Sequence, residues 1–278
     1  MPLPIVLAHG IARFDFLTQK LLDLGIVSDD DRLHYFRNIK TFLESNGFVV
    51  FHSNVSFAAA VDQRAAELAS RVREIVRMGH PKVHIIAHSM GGLDARHMIV
   101  DQPGMADKVA SLTTIGTPHL GTSFADWGLR NGGHRIIKAF EPILDLKGFE
   151  DLSTGACDLF NKRAVDQEAT NPVNYSTYSS HQNWLRTFGP LKGPWKIIRG
   201  TEGENDGLVP VRSQQWRKEL KASNGVTKPV KQNRFPEPAD HLNQLGWWDW
   251  SEVLGGEFLP ARYENKIQDA YLQIVRRL

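Results

Sequence analysis

Residues 82–100 restrict the fold more than any other stretch of this 278-residue chain. An apolar run, Lys82 to Ala87 (KVHIIA), leads into His88-Ser89-Met90-Gly91-Gly92 and then into a helix-forming segment, Leu93 to Val100. A strand that passes into a helix through one sharp turn needs small residues on either side of the apex, because larger side chains collide with the packed strand and helix. Ala87, Gly91 and Gly92 meet that need and leave Ser89 at the apex. The hydroxyl is pushed out above the sheet, where the dipole and free amides of the following helix favour negative charge. Ser89 is the candidate nucleophile. A serine that merely caps a helix is the better reading of an isolated S-x-G, but not of one set between a strand and a helix.

The rest of the chain alternates in the same way. Leu3 to Ala8 (LPIVLA) and Val49 to Val55 read as strands, with Phe36, Ile39 and Leu43 at helical spacing between them and Asn46-Gly47 as the stop. From Asp62 to Met78 one apolar stripe (Ala65, Leu68, Ala69, Val72, Ile75, Val76) has Arg and Glu on the other side. Ser111 to Ile115 and Trp195 to Arg199 (WKIIR) are expected strands, and Ile267, Ala270, Tyr271 and Ile274 mark a closing helix. Strands alternating with helices imply an α/β domain with a mostly parallel sheet covered on both faces. The expectation is a single domain over 1–278, with a helical cap or lid inserted at about 121–194. Within that insertion Ile136, Ile137, Phe140, Ile143 and Leu144 form an apolar helical stripe interrupted at Pro142.

A hydroxyl nucleophile on such a scaffold needs an acid and then a histidine downstream. Asn205-Asp206-Gly207 follows the expected strand Trp195 to Arg199, so Asp206 is the candidate acid, ahead of Glu202, Glu204 and Asp240. His241 follows a long polar, proline-containing stretch and is the candidate base. His84 and His88 come too early in the chain, and His134 and His181 fall in the expected cap. A glycine after the first strand lets a backbone amide approach a substrate closely, which makes the N–H groups of Ile11 and Met90 the candidate oxyanion donors. With the serine absent, His9-Gly10 would read as a plain strand-ending turn.

With these residues in hand the chain resembles the bacterial triacylglycerol lipases of the α/β-hydrolase superfamily. The resemblance rests on PIVLAHGI (Pro4 to Ile11), AHSMGGLDAR (Ala87 to Arg96), GTPHLGTSFAD (Gly116 to Asp126), NDGLVP (Asn205 to Pro210) and DHLNQ (Asp240 to Gln244). It implies the α/β-hydrolase fold, ester hydrolysis, and the same roles for Ser89, Asp206, His241, Ile11 and Met90. Many members of that family bind structural calcium through an Asp two residues after the histidine. Here the position is Asn243, so no metal and no cofactor is expected. The family's disulfide is impossible with one cysteine, Cys157, which reads as a small buried apolar residue.

Charge adds exclusions rather than partners. Lys and Arg total 33 against 31 Asp and Glu, so no overall field recruits nucleic acid or an anionic membrane. No apolar run is long enough to span a bilayer, and the apolar start without a basic region or cleavage site reads as cytoplasmic, or as secreted if a leader has been trimmed. The leading expectation is hydrolysis of lipid esters, triacylglycerols among them, with transient contact to a lipid interface and the oligomeric state left open. A carboxylesterase or thioesterase for soluble substrates, and a non-catalytic binding protein retaining the fold, are the alternatives. Trp247, Trp248 and Trp250 read as packing beside the site loop in preference to a lipid anchor.

Overall fold

The computed structural model describes residues 2–11, 35–56, 59–131, 149–247 and 260–278. Among them, seven strands form one sheet in the order β2-β1-β3-β4-β5-β7-β6. They are β1 (Ile5–Ala8), β2 (Val50–His52), β3 (Val83–His88), β4 (Val109–Ile115), β5 (Asn174–Ser179), β6 (Glu219–Lys221) and β7 (Thr227–Arg234). All pairings are parallel except that of β6 with β7. The helices are α1 (Ile39–Ser45), α2 (Val61–Arg77), α3 (Met90–Asp101), α4 (Ser123–Arg130), α5 (Thr154–Thr170), α6 (Lys192–Thr201), α7 (Val211–Gln215) and α8 (Pro260–Val275).

The two-residue alternation of β1 shows how both faces are buried. Ile5 and Leu7 enter one core with Ile39 and Leu43 of α1 and Ile267 and Tyr271 of α8. Val6 and Ala8 enter the other with Leu68 and Val72 of α2 and Ala95 and Met98 of α3. A strand covered on both sides has no solvent face, which is why LPIVLA is apolar throughout.

Three sequence expectations change. Trp195 to Arg199 is not a strand but lies within α6: a five-residue apolar run cannot by itself distinguish the two, and Pro194 is tolerated in a first helical turn. The strand expected there is supplied instead by β5, NYSTYS, whose polar side chains find partners inside the sheet. Ser176 Oγ lies 3.1 Å from Thr113 Oγ1, and Ser179 Oγ donates to Asn233 O at 3.3 Å. The polar stretch before His241 is likewise not all loop, since it contains β6 and β7, in which Leu220 and Val230 are the buried positions.

These changes narrow the expected insertion at 121–194. It contains β5 of the central sheet and α5, which is bound to α3 by the buried pair Arg96–Glu168. Residues 154–179 therefore belong to the α/β layers. The stripe Ile136 to Leu144, and with it Pro142 and His134, lies outside the described residues, as do Trp248 and Trp250. Trp247 is buried, its indole N–H donating to Tyr35 O at 3.1 Å.

Candidate active site

Ser89 follows β3 with φ 55° and ψ −133°, a conformation that is costly for a residue with a Cβ. Neighbouring backbone holds it there. Ser89 N donates to Ile115 O at 3.0 Å, and Thr117 Oγ1 donates to Ser89 O at 2.8 Å, so the end of β4 braces the turn. Packing explains the small flanks: a Cβ on Gly91 would stand 2.5 Å from Ala8 O, and one on Gly10 would stand 2.8 Å from Ser89 Cβ. The loop after β1 thus abuts the serine.

The structure brings Ser89, Asp206 and His241 together. His241 Nε2 lies 2.8 Å from Ser89 Oγ, and His241 Nδ1 lies 2.8 Å from Asp206 Oδ2. Asp206 is fully buried at the tip of a tight loop closed by the bridge between Asn205 and Pro210. Its Oδ1 accepts the amides of Leu208 at 3.0 Å and Val209 at 2.8 Å, which leaves Oδ2 for the imidazole. A buried carboxylate accepting several N–H bonds is held stationary. With its proton on Nδ1, His241 presents a lone pair to the hydroxyl. This is the geometry a general base needs.

The amides of Ile11 and Met90 have no acceptor among the described residues. Met90 is the first residue of α3, where a helix leaves its N–H groups unpaired. Ile11 sits on the loop against Ser89. That loop is braced by Arg64 of α2, which the apolar stripe places on the outer side but the structure buries completely. Arg64 donates to His9 O at 2.8 Å and to Asp94 Oδ2 at 2.6 Å.

The rival residues are occupied elsewhere. Asp240 accepts the amides of Phe188, Leu242 and Asn243, Glu202 accepts Ser123 N, and Glu204 is exposed. His84 bonds Ser111 Oγ at 2.7 Å, and His181 is exposed 4.0 Å from Glu204. Asn243, at the family's calcium position, is buried and uses its amide group to bind Asp240 N and Trp247 O. Asp62, His97 and Asp101 offer three ligand atoms within 4.8 Å of one another, but Arg163 already pairs with Asp101. Burial pushes the Cys157 thiol up to about 12, consistent with an apolar filler and not a nucleophile.

One part of the site has no local sequence signature. Gln244 Nε2 donates to Asp206 Oδ2 at 3.0 Å, which fixes the amide so that its Oε1, 3.0 Å from His88 Nε2, must accept. His88 therefore carries its proton on Nε2, and Nδ1 accepts the Tyr35 hydroxyl at 2.7 Å. Burial, with His241 beside it, holds His88 well below the usual imidazole range, so it stays neutral against the His241 ring. Room for this chain is made at Gly116, whose φ is 60° and whose Cβ would stand 2.4 Å from Gln244 Oε1. Gln244→Leu removes a donor to the carboxylate and orphans His88 Nε2–H, and should lower kcat about tenfold with little change in KM. Steady-state kinetics on a soluble ester provide the check, and an unaltered kcat would remove Gln244 from the positioning of Asp206.

Comparison with known proteins bears on the fold that carries this geometry. Residues 37–140 match a PGAP1-like alpha/beta domain. Triacylglycerol lipase 2 of Saccharomyces cerevisiae is 28% identical, the match covering 90% of this chain and 83% of the yeast protein. A triacylglycerol lipase of Pseudarthrobacter phenanthrenivorans is 34% identical over 45% of this chain but only 35% of its own length. Lipase 1 of Pelosinus fermentans superposes with a TM-score of 0.62 at 18% identity, over 96% of this chain and 98% of that one, which shows a common fold. By its sheet and its relatives, the chain is similar to lipases of the α/β-hydrolase superfamily.

Proposed function

We propose that this serine ester hydrolase cleaves carboxylic esters of lipids, triacylglycerols foremost, through an acyl-enzyme on Ser89. The observation that carries the reading is His241 standing 2.8 Å from both Ser89 Oγ and Asp206 Oδ2. Ser89 Oγ attacks the ester carbonyl while His241 Nε2 takes its proton, and Asp206 stabilises the resulting imidazolium. The tetrahedral oxyanion is received by the amides of Ile11 and Met90. Collapse expels the alcohol, protonated by His241, and leaves the acyl group on Ser89. A water molecule deprotonated by His241 then attacks the acyl carbon, and the carboxylic acid departs as Ser89 regains its proton.

Similarity to triacylglycerol lipases supports the lipid substrate. The reading is tested by following the rate against ester concentration through the solubility limit, with emulsified long-chain triglyceride included. A rise in rate as the substrate aggregates is expected for a lipase whose cap opens at an interface. A smooth saturating curve with no hydrolysis of the emulsion would leave an esterase of soluble substrates. The position of α5 and β5 in the core, which shortens the insertion available for a cap, favours that second reading.

A further inference from the structure

The segment that leaves β5 is fastened beside the site at two points. Gln182 N donates to Asn205 O at 3.1 Å and Phe188 N donates to Asp240 Oδ2 at 2.6 Å, so the anchors directly precede Asp206 and His241 in the chain. Between them, Asn183 to Arg186 are all exposed. Asn183 caps the short turn, its Oδ1 accepting Arg186 N at 3.0 Å. The turn presents Trp184, 37% exposed, and Leu185, which at 72% is the most exposed large apolar side chain among the described residues.

Cations accompany this tip. Lys192 and Lys196, on successive turns of α6, hold their ammonium groups 5.1 and 4.8 Å from the Trp184 ring centre. Arg199 lies 6.0 Å from the Trp195 ring centre. Residues 182–201 contain Arg186, Lys192, Lys196 and Arg199 and no Asp or Glu. None of these four forms an ion pair among the described residues. The next carboxylates along the chain are engaged nearby, Glu202 by Ser123 N and Glu204 by His181 at 4.0 Å.

A single exposed leucine is unremarkable on a soluble protein. An exposed Trp-Leu tip with two lysines over its indole, in a segment whose four cations form no ion pair among the described residues, is different, because it matches the two layers of a membrane interface. Indole and leucine suit the boundary between headgroup and acyl chain, and ammonium and guanidinium groups suit the phosphates above it. We propose that the Trp184–Leu185 turn and the cationic face of α6 form a docking surface for anionic phospholipid bilayers, seating the Ser89 site at headgroup level. The near-neutral total charge of the chain conceals this surface, since its basic groups are balanced by acids elsewhere. The purpose of such docking rests on the lipid-ester reading, but its measurement does not.

The test is co-sedimentation of the full chain with phosphatidylcholine vesicles and with vesicles containing about 30 mol% phosphatidylserine, at low and high salt. The wild type should favour the anionic vesicles, and added salt should weaken binding. Lys192→Gln together with Lys196→Gln should lower partitioning onto them about 25-fold, at roughly fivefold per lysine near an anionic surface. Leu185→Asp should also lower partitioning, at either salt concentration. Both variants should hydrolyse a soluble short-chain ester at the wild-type rate, which shows that they are folded with an intact site. Absence of wild-type binding, or equal binding by the lysine double variant, overturns the proposal. Sensitivity to the lysines but not to Leu185 also overturns it, by indicating a general polyanion surface. A wild-type protein that binds vesicles but cleaves no ester would sink the functional reading and leave the docking surface standing.

Discussion

Ser89→Ala is expected to reduce kcat for ester hydrolysis by on the order of 10⁴- to 10⁶-fold while leaving the protein folded. The fold should survive because the backbone groups of Ser89, not its hydroxyl, tie the turn to β4, through Ile115 O and Thr117 Oγ1. Among the described residues, the one hydrogen bond lost is that between Oγ and His241 Nε2. The strain at φ 55° is shared by serine and alanine, so it cancels in the comparison. His241→Ala should cost about as much activity, since the hydroxyl and the imidazole act as one unit, and Asp206→Asn on the order of 10⁴-fold. Turnover of a soluble ester, circular dichroism and labelling by a phosphonate inhibitor decide the matter together. A folded Ser89→Ala protein with near wild-type turnover, or covalent labelling at another serine, would relocate the chemistry.

The largest loss of stability is expected away from the chemistry, at Arg96. This guanidinium is fully buried and binds Glu168 bidentately at 2.8 and 2.9 Å. It also donates to Asn161 Oδ1 at 2.8 Å and lies 3.9 Å from the Trp216 ring centre. Burial, with Arg96 beside it, holds His119 well below the usual imidazole range, so His119 remains neutral. It accepts from Arg96 on Nδ1 at 3.4 Å and donates from Nε2 to Thr114 Oγ1 at 2.9 Å. Arg96→Met leaves the Glu168 carboxylate buried without a counter-charge and should cost about 3–5 kcal/mol. For a chain of this size that is a fall in melting temperature on the order of 10 °C. Adding Glu168→Leu should recover much of the loss, because an apolar pair can replace a buried ion pair whereas half a pair cannot. Thermal unfolding of the two variants gives the answer. A single variant as stable as the wild type would show that Glu168 finds another partner or takes up a proton.

Much of this architecture is legible in the linear chain. Apolar runs announce β1, β3 and β4 because those strands are covered on both faces, and a helical apolar stripe announces α2 and α8. The small residues around Ser89 are legible for a steric reason, whereas the strand expected before Asp206 is helix α6, and it is the fold that brings Asp206 to His241. What these signals share is locality: each is a demand that burial or turn geometry places on neighbouring residues. Only the tertiary structure decided the rest. β5 carries Tyr, Ser and Thr whose hydroxyls find partners on neighbouring strands and on the segments packed beside them, so the side chains that build it look like loop residues in sequence. WKIIR was too short to declare its period, and packing made it helix. Arg64 and Arg96 look like the polar sides of two helices until carboxylates from other segments bury them, and Gln244 meets His88 from 156 residues away. Such contacts have no period and no local spacing. They arise because a buried polar group must find a partner wherever the chain has brought one, and that is known only once the fold has formed.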